Sequence, residues 1–194
     1  MGEVVIIDYG AGNIKSLSVS LTRLGLAPVL SKNPKVIANA KKVFLPGVGN
    51  ATHAMKGLEE LGLVEVIRAL KQPVLGICLG MQMFGNHLVE GDCSGINLID
   101  QDVKPFGGSL KVPHMGWNTI ENLDGPLFKS IDEGEFMYFV HSFFGESGSN
   151  TIATCTYGEE FTAAWQKDNF YGVQFHPEKS GAAGQQILKN FIEL

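Results

Sequence analysis

A cysteine set between glycines, Gly76-Ile77-Cys78-Leu79-Gly80, closes the apolar run Val74 to Ile77. A sharp strand-to-helix turn of this form forces its central residue into strained dihedrals, and small residues two before and two after it keep strand and helix from colliding. Such a turn would present the Cys78 thiol at a helix N-terminus, where backbone N–H groups and the dipole favour the thiolate. It would also aim the Leu79 N–H at an oxyanion formed on a substrate. Taken alone, the pattern fits a buried structural cysteine equally well, because free cysteine is among the most buried residue types.

His176-Pro177-Glu178 shifts that balance. It follows a second apolar run, Tyr171 to Phe175, so His176 would also stand at a strand end. A cysteine nucleophile needs a general base, and the imidazole needs a carboxylate to fix its tautomer; His176 and Glu178 can supply both. Without the cysteine turn, the same tripeptide would read as a surface turn nucleated by Pro177. Pro46-Gly47-Val48-Gly49 is a third strand-end segment, and the glycines flanking Val48 let the Gly47-Val48 peptide rotate at little steric cost. It is expected to form one wall of an oxyanion hole at Val48, with a plain loop as the alternative.

The elements that must carry these residues alternate in the first half of the chain. Val4 to Ile7, Ala27 to Leu30, Val43 to Leu45 and Val74 to Ile77 read as short buried strands. Ile14, Leu17, Leu21 and Leu24 fall on one helical face that stops at Gly25, and Asn33-Pro34 is a cap followed by a first-turn proline. Met55, Leu58, Val64, Ile67 and Leu70 suggest one or two further helices. This rhythm predicts a parallel sheet covered on both faces, with its chemistry at the carboxyl ends of the strands. After about residue 90 the connections shorten, and strands are expected over 96–99, 110–112, 118–120, 136–140, 152–156, 162–165 and 171–175. These should be mainly antiparallel, with a closing helix over 185–194. The fold class expected is α/β: an open mixed sheet with a parallel βα N-terminal half, a more antiparallel C-terminal half and helices on both faces.

Composition narrows the classes of function. The chain has 194 residues, enough for one sizeable core, and a single domain over 1–194 is expected. Hydrophobic residues make up 44% and charged residues 18%, so the sequence should fold. Fifteen Lys and Arg against 20 Asp and Glu give a net charge of -5 with no basic stripe, which argues against nucleic-acid binding. Glycine is unusually frequent, 24 of 194 residues, and points to several tight turns or close approaches.

Cys78, Cys93 and Cys155 are odd in number and irregular in spacing, so neither a disulfide framework nor a CxxC metal site is expected. His53, His87, His114 and His141 show no metal-ligand spacing, and no metal or cofactor is predicted. Met1-Gly2-Glu3 precedes only four apolar residues, too few for a signal peptide, and Ile6 stands where a myristoylation signal wants Ser or Thr. The longest stretch without polar side chains, Pro73 to Met81, is far short of the roughly 20 residues of a membrane span. A soluble protein in the cytoplasm is expected.

With these segments in hand, the sequence resembles the class I (triad) glutamine amidotransferases, Cys78, His176 and Glu178 matching the triad in order and spacing. Asp8-Tyr9-Gly10-Ala11-Gly12-Asn13, Pro46 to Gly49, Gly76 to Gln82, Val112-Pro113-His114-Met115-Gly116-Trp117-Asn118, Tyr138 to Ser142 and His176 to Ser180 are similar to the branch that supplies ammonia for imidazole glycerol phosphate synthesis. The likeness spans nearly the whole chain. It implies that Cys78 attacks the side-chain amide of L-glutamine, that His176 protonates the departing ammonia, and that Glu178 orients the imidazole. It implies an oxyanion hole at Val48 and Leu79. It also implies glutamine contacts from Gly47, Gly49, Gln82, His141, Ser142 and Phe143, the last standing where the family more often has Tyr. Gln82 could instead face solvent on the helix after Cys78.

The resemblance implies an acceptor as well. A chain of this length, consumed by the glutaminase fold, has no room for a synthase domain. The expected partner is a cyclase subunit of barrel fold in a heterodimer, yielding imidazole glycerol phosphate and an aminoimidazole carboxamide ribotide in histidine biosynthesis. Asn13, Trp117, Tyr138 and Lys179 are the candidates for its docking face, although Trp117 and Tyr138 also read as core aromatics and Lys179 as a solvated charge. Two alternatives stay open: a paralogue feeding a different synthase, for example in sugar amidation, and an autonomous γ-glutamyl cysteine hydrolase. A catalytically silent scaffold fits poorly with an intact Cys78, His176 and Glu178.

Overall fold

The computed structural model describes residues 4–194; the reading of Met1 to Glu3 lies outside them. Its first half runs β1 (Val4–Ile7), α1 (Ile14–Arg23), β2 (Val29–Ser31), α2 (Pro34–Ala38), β3 (Lys42–Gly47), α3 (Ala51–Glu60), α4 (Leu63–Ala69), β4 (Val74–Cys78) and the single turn α5 (Leu79–Gln82). Then follow β5 (His87–Leu88), β6 (Cys93–Ser94), β7 (Val103–Pro105), β8 (His114–Ile120), β9 (Glu135–His141), β10 (Phe143–Gly145), β11 (Thr151–Tyr157), β12 (Glu159–Lys167), β13 (Phe170–Val173) and α6 (Gly181–Glu193).

The α/β architecture follows from the apolar pattern. Seven strands pair in the order β11-β12-β13-β4-β3-β1-β2; β13 through β2 are parallel neighbours, and β11, β12 and β13 are antiparallel. Every residue of β1 is apolar because both sheet faces are covered. Val4 and Ile6 join one core with Leu17 and Leu21 of α1 and Phe191 of α6, while Val5 and Ile7 join the other with Leu58 of α3 and Ile67 of α4.

The antiparallel half is not one sheet. Besides the strands that extend the main sheet, β10-β7-β5-β6 form a four-stranded sheet and β8-β9 a separate ribbon.

Several boundaries differ from expectation for identifiable reasons. Residues 96–99 form no strand: Asn97 turns at φ 58°, and the N–H groups of Ile96, Leu98 and Ile99 bond to Met83 and Phe84 carbonyls just after α5. Residues 110–112 join no ladder either; Val112 is half exposed and Pro113 follows it. The second strand begins at Val29 rather than Ala27 because Pro28 has no N–H to give. The last strand stops at Val173: His176 N–H leaves the sheet and bonds to the Tyr138 carbonyl of β9. The closing helix starts at Gly181, four residues early, over small residues that carry no apolar period.

The register brings the segments of interest together. Gly47 of β3 lies opposite Cys78 of β4, and Val173 of β13 lies opposite Ile77, so the Pro46-Gly49 turn, Cys78 and His176 share one sheet edge. Contact there is extremely close. A Cβ at Gly80 would overlap the Leu45 carbonyl, and one at Gly76 would stand 2.6 Å from the Gly80 oxygen.

We therefore expect Gly80→Ala to destabilise the fold by at least about 2 kcal/mol, in the range of overpacked cores, measured as a lowered denaturant midpoint. An unchanged midpoint would show that β3 and α5 can separate freely.

Candidate active site

Cys78 caps α5 at φ 54° and ψ −112°, the strained turn that its flanking glycines predict. One part of the expectation needs correction. The helix after it has only four residues, so few peptide dipoles add up behind the sulfur, and stabilisation of a thiolate must come mainly from nearby groups. The buried thiol lies 3.7 Å from the Val140 carbonyl and 3.7 Å from Nε2 of Gln174.

His176 is 1% exposed, and its Nδ1 is 2.9 Å from Oε1 of Glu178. Asn13 Nδ2 donates to the same carboxylate oxygen at 3.0 Å. Burial alone would push the imidazole pKa down, but the nearby Cys78 sulfur and the hydrogen-bonded Glu178 carboxylate favour the charged ring and lift it to about 10. His176 Nε2 has no aligned hydrogen-bond partner among the described residues. The sulfur is thus near enough to favour the imidazolium while its own aligned contacts run to Val140 and Gln174.

Beside Cys78 lies a cavity of about 260 Å³ lined by Val48, Gly49, Leu79, Gln82, Glu90 and the segment 140–143. That volume suits a ligand the size of one amino acid rather than a nucleotide. Most of the expected ligand contacts are here. Gly47 is not: it is buried within β3, against the backbone of α5. Gln82 is buried rather than solvent-facing; its amide donates to the Phe143 carbonyl at 2.7 Å and to Oε1 of Gln174 at 2.9 Å, which leaves its own oxygen as a free acceptor. Glu90, which no motif or spacing singles out, lines the cavity and accepts the Ala51 N–H at the start of α3.

A class I glutamine amidotransferase model matches residues 5–194. The chain belongs to that family. The imidazole glycerol phosphate synthase subunit HisH of Pectobacterium atrosepticum is 51% identical to this amidotransferase, the match covering 99% of this chain and all of the relative. HisH of Salmonella typhimurium is 50% identical with the same coverage. A solved structure described as a putative GMP synthase component from Thermoplasma acidophilum superposes with a TM-score of 0.78 at 18% identity, over all of this chain and 93% of that one, a likeness of fold.

Three of the four docking candidates touch the amidotransferase's His176-Glu178 segment, Asn13 through Glu178 and Tyr138 and Lys179 through backbone bonds to His176, and Trp117 packs on Tyr138. Trp117 faces Tyr138 across the β8-β9 ladder with ring centroids 6.0 Å apart, and Lys179 Nζ stands 5.6 Å from the Tyr138 ring. Trp117 is 55% exposed, so it is no core aromatic. Asn13, by contrast, is tied inward to Glu178.

The ribbon's inner face carries a feature the sequence did not disclose. His141 Nδ1 is 2.8 Å from the Phe143 carbonyl, His141 Nε2 is 3.0 Å from His114 Nδ1, and His114 Nε2 is 3.2 Å from the Asn118 amide. A carbonyl only accepts, so His141 must carry its proton on Nδ1; His114 then donates from Nδ1 and accepts the Asn118 N–H at Nε2. Both rings are neutral. Burial pushes the His141 pKa down to about 3 against the opposing pull of the Phe143 carbonyl, with His114 and His176 adding repulsion, and burial lowers that of His114 to about 4. His53 and His87 lie elsewhere, and no cluster of His, Cys, Asp or Glu among the described residues could hold a metal.

The pH dependence follows. Unfolded histidines bind protons below about 6.5, whereas His141 and His114 resist down to about 3 and about 4, so the unfolded state binds more protons in that window and stability falls as pH drops. His176 acts in the opposite sense: its contribution is present below about 6.5 and is lost as pH rises through about 10. Nitrogen NMR should find both His114 and His141 as Nδ1–H tautomers at pH 6, with the denaturant midpoint declining from pH 6.5 toward 4. Either ring titrating near 6.5 would contradict the chain of bonds.

Proposed function

We propose that this chain, as one domain and in the cytoplasm, is the glutaminase subunit of an imidazole glycerol phosphate synthase. Its partner is then a cyclase subunit of barrel fold, with which it forms a heterodimer. The observation that carries the proposal is the buried His176 bonded to Glu178, itself held by Asn13, beside Cys78, which lines a cavity sized for one amino acid. HisH relatives about 50% identical along the whole chain support the pathway. The three free thiols suit a reducing compartment.

The chemistry follows from the residues. Cys78 sulfur attacks the side-chain carbonyl carbon of L-glutamine, and the oxyanion is met by the N–H groups of Leu79 and Val48. Glu178 fixes the His176 proton on Nδ1 and offsets the charge of the imidazolium, so Nε2 delivers a proton to the departing nitrogen and ammonia leaves. His176 then takes a proton from water as it attacks the thioester; glutamate is released and the thiolate restored. Glu90 and the free oxygen of Gln82 accept from the substrate's α-ammonium, and backbone at Gly49 and over 141–143 holds its α-carboxylate.

Ammonia released here is consumed before it escapes only if the acceptor covers the site. Tyr138 and Lys179 are bonded to His176 through their backbones, and the side chains of Trp117 and Lys179 flank the Tyr138 ring, so a partner seated on that face would also seal the exit.

Glutamate release should be low for the chain alone and rise strongly with the cyclase and its ribotide bound; equal activity alone would favour an autonomous hydrolase. Cys78→Ala should abolish glutamine-dependent synthesis while ammonia-dependent synthesis persists, and survival of the former would remove Cys78 as nucleophile. Glu90→Gln should raise KM for glutamine about tenfold with kcat little changed, the signature of a uniform binding contact.

A further inference from the structure

Gln174 is completely buried, two residues before His176, and its backbone N–H continues the bonding to β12 through the Ala163 carbonyl. A buried amide is costly unless every polar group finds a partner, and a leucine would fill the space without that demand. Its partners form a directed chain. The Phe143 carbonyl can only accept, so Gln82 must turn its NH2 toward it; the same NH2 reaches Oε1 of Gln174, and this fixes Nε2 of Gln174 as the group facing Cys78 sulfur at 3.7 Å.

The sulfur thus has two aligned neighbours of opposite character. The Val140 carbonyl accepts and so favours the thiol, whereas the Gln174 N–H donates and so favours the thiolate. A donor to sulfur strengthens as charge builds on it, and Nε2 cannot rotate away because Gln82 and Phe143 hold the other end. We propose that Gln174 is a catalytic residue of the glutaminase reaction, donating a hydrogen bond to the Cys78 thiolate before attack and again as the thiolate leaves the thioester, with Gln82 as its positioning residue. The proposal rests on the glutaminase reading above.

The test is alkylation of Cys78 by iodoacetamide across pH in the full chain, followed by peptide mass spectrometry to separate Cys78 from Cys93 and Cys155. Gln174→Met keeps the length and apolar bulk but removes the donor. The pH of half-maximal alkylation should rise by about one unit, and kcat/KM for glutamine should recover at alkaline pH. Loss of packing alone would lower the melting temperature without moving that midpoint; an unmoved midpoint in folded Gln174→Met overturns the proposal. If the variant does not fold, the wild-type chain decides: the side-chain amide resonances of Gln174 should shift when Cys78 is alkylated, and their remaining in place overturns it equally. Alkylation needs neither glutamine nor a partner, so its outcome is separable from failure of the glutaminase reading, which Cys78→Ala tests.

Discussion

Holding a cysteine at φ 54° costs of order 1–3 kcal/mol, and the close approach of three backbones meets that cost. β3, β4 and the single turn after Cys78 pack with only hydrogens at Gly76 and Gly80 between them. The residue cannot relax into an ordinary helical or extended conformation without driving α5 into Leu45. Because parallel pairing sets β3 and β13 on either side of β4, the same constraint places the Pro46-Gly49 turn and the His176 segment at the sulfur. The alternating cores of α1 and α6 on one face, and α3 and α4 on the other, clamp that arrangement.

Around this rigid centre the polar groups are organised by one carbonyl. Phe143 accepts from His141 on one side and from Gln82 on the other. Each donor then fixes the orientation of the next group, toward Asn118 in one direction and toward Cys78 in the other. In a low-dielectric interior such chains specify side-chain rotamers more sharply than apolar packing does, since any flip strands a buried donor or acceptor. The neutral imidazoles belong to the same logic, because protonating His141 would set its charge beside His114 and His176.

Much of this is legible in the sequence, for reasons that differ by element. Residue type and local spacing disclose the cysteine turn and the His-Pro-Glu step, because steric rules act over five residues. Continuous apolar runs disclose β1, β3 and β4 because burial on both faces leaves no room for alternation, whereas β2, expected to be buried, is an edge strand with Val29 and Leu30 exposed. The Gln82-Gln174 and His114-His141 contacts cannot be read: they join residues 92 and 27 apart through a fold whose ribbon and small sheet carry no local mark separating them from the main sheet. Residues 96–99 mislead because an apolar run fits a buried loop wrapped on α5 as well as a strand, and Gly47 misleads because a glycine before a turn also serves a close backbone contact.

The β8-β9 ribbon has a two-residue period with unlike cargo on its two sides. His114, Phe139 and His141 point inward, while Met115, Trp117 and Phe136 stand 62%, 55% and 55% exposed. Evolution can therefore rewrite the outer side chains for a new acquaintance without disturbing a single bond of the interior. A shift of register by one residue is forbidden, since it would exchange the two sets at once. The ribbon behaves as an adaptor plate, whose socket is free to diverge while its wiring stays fixed.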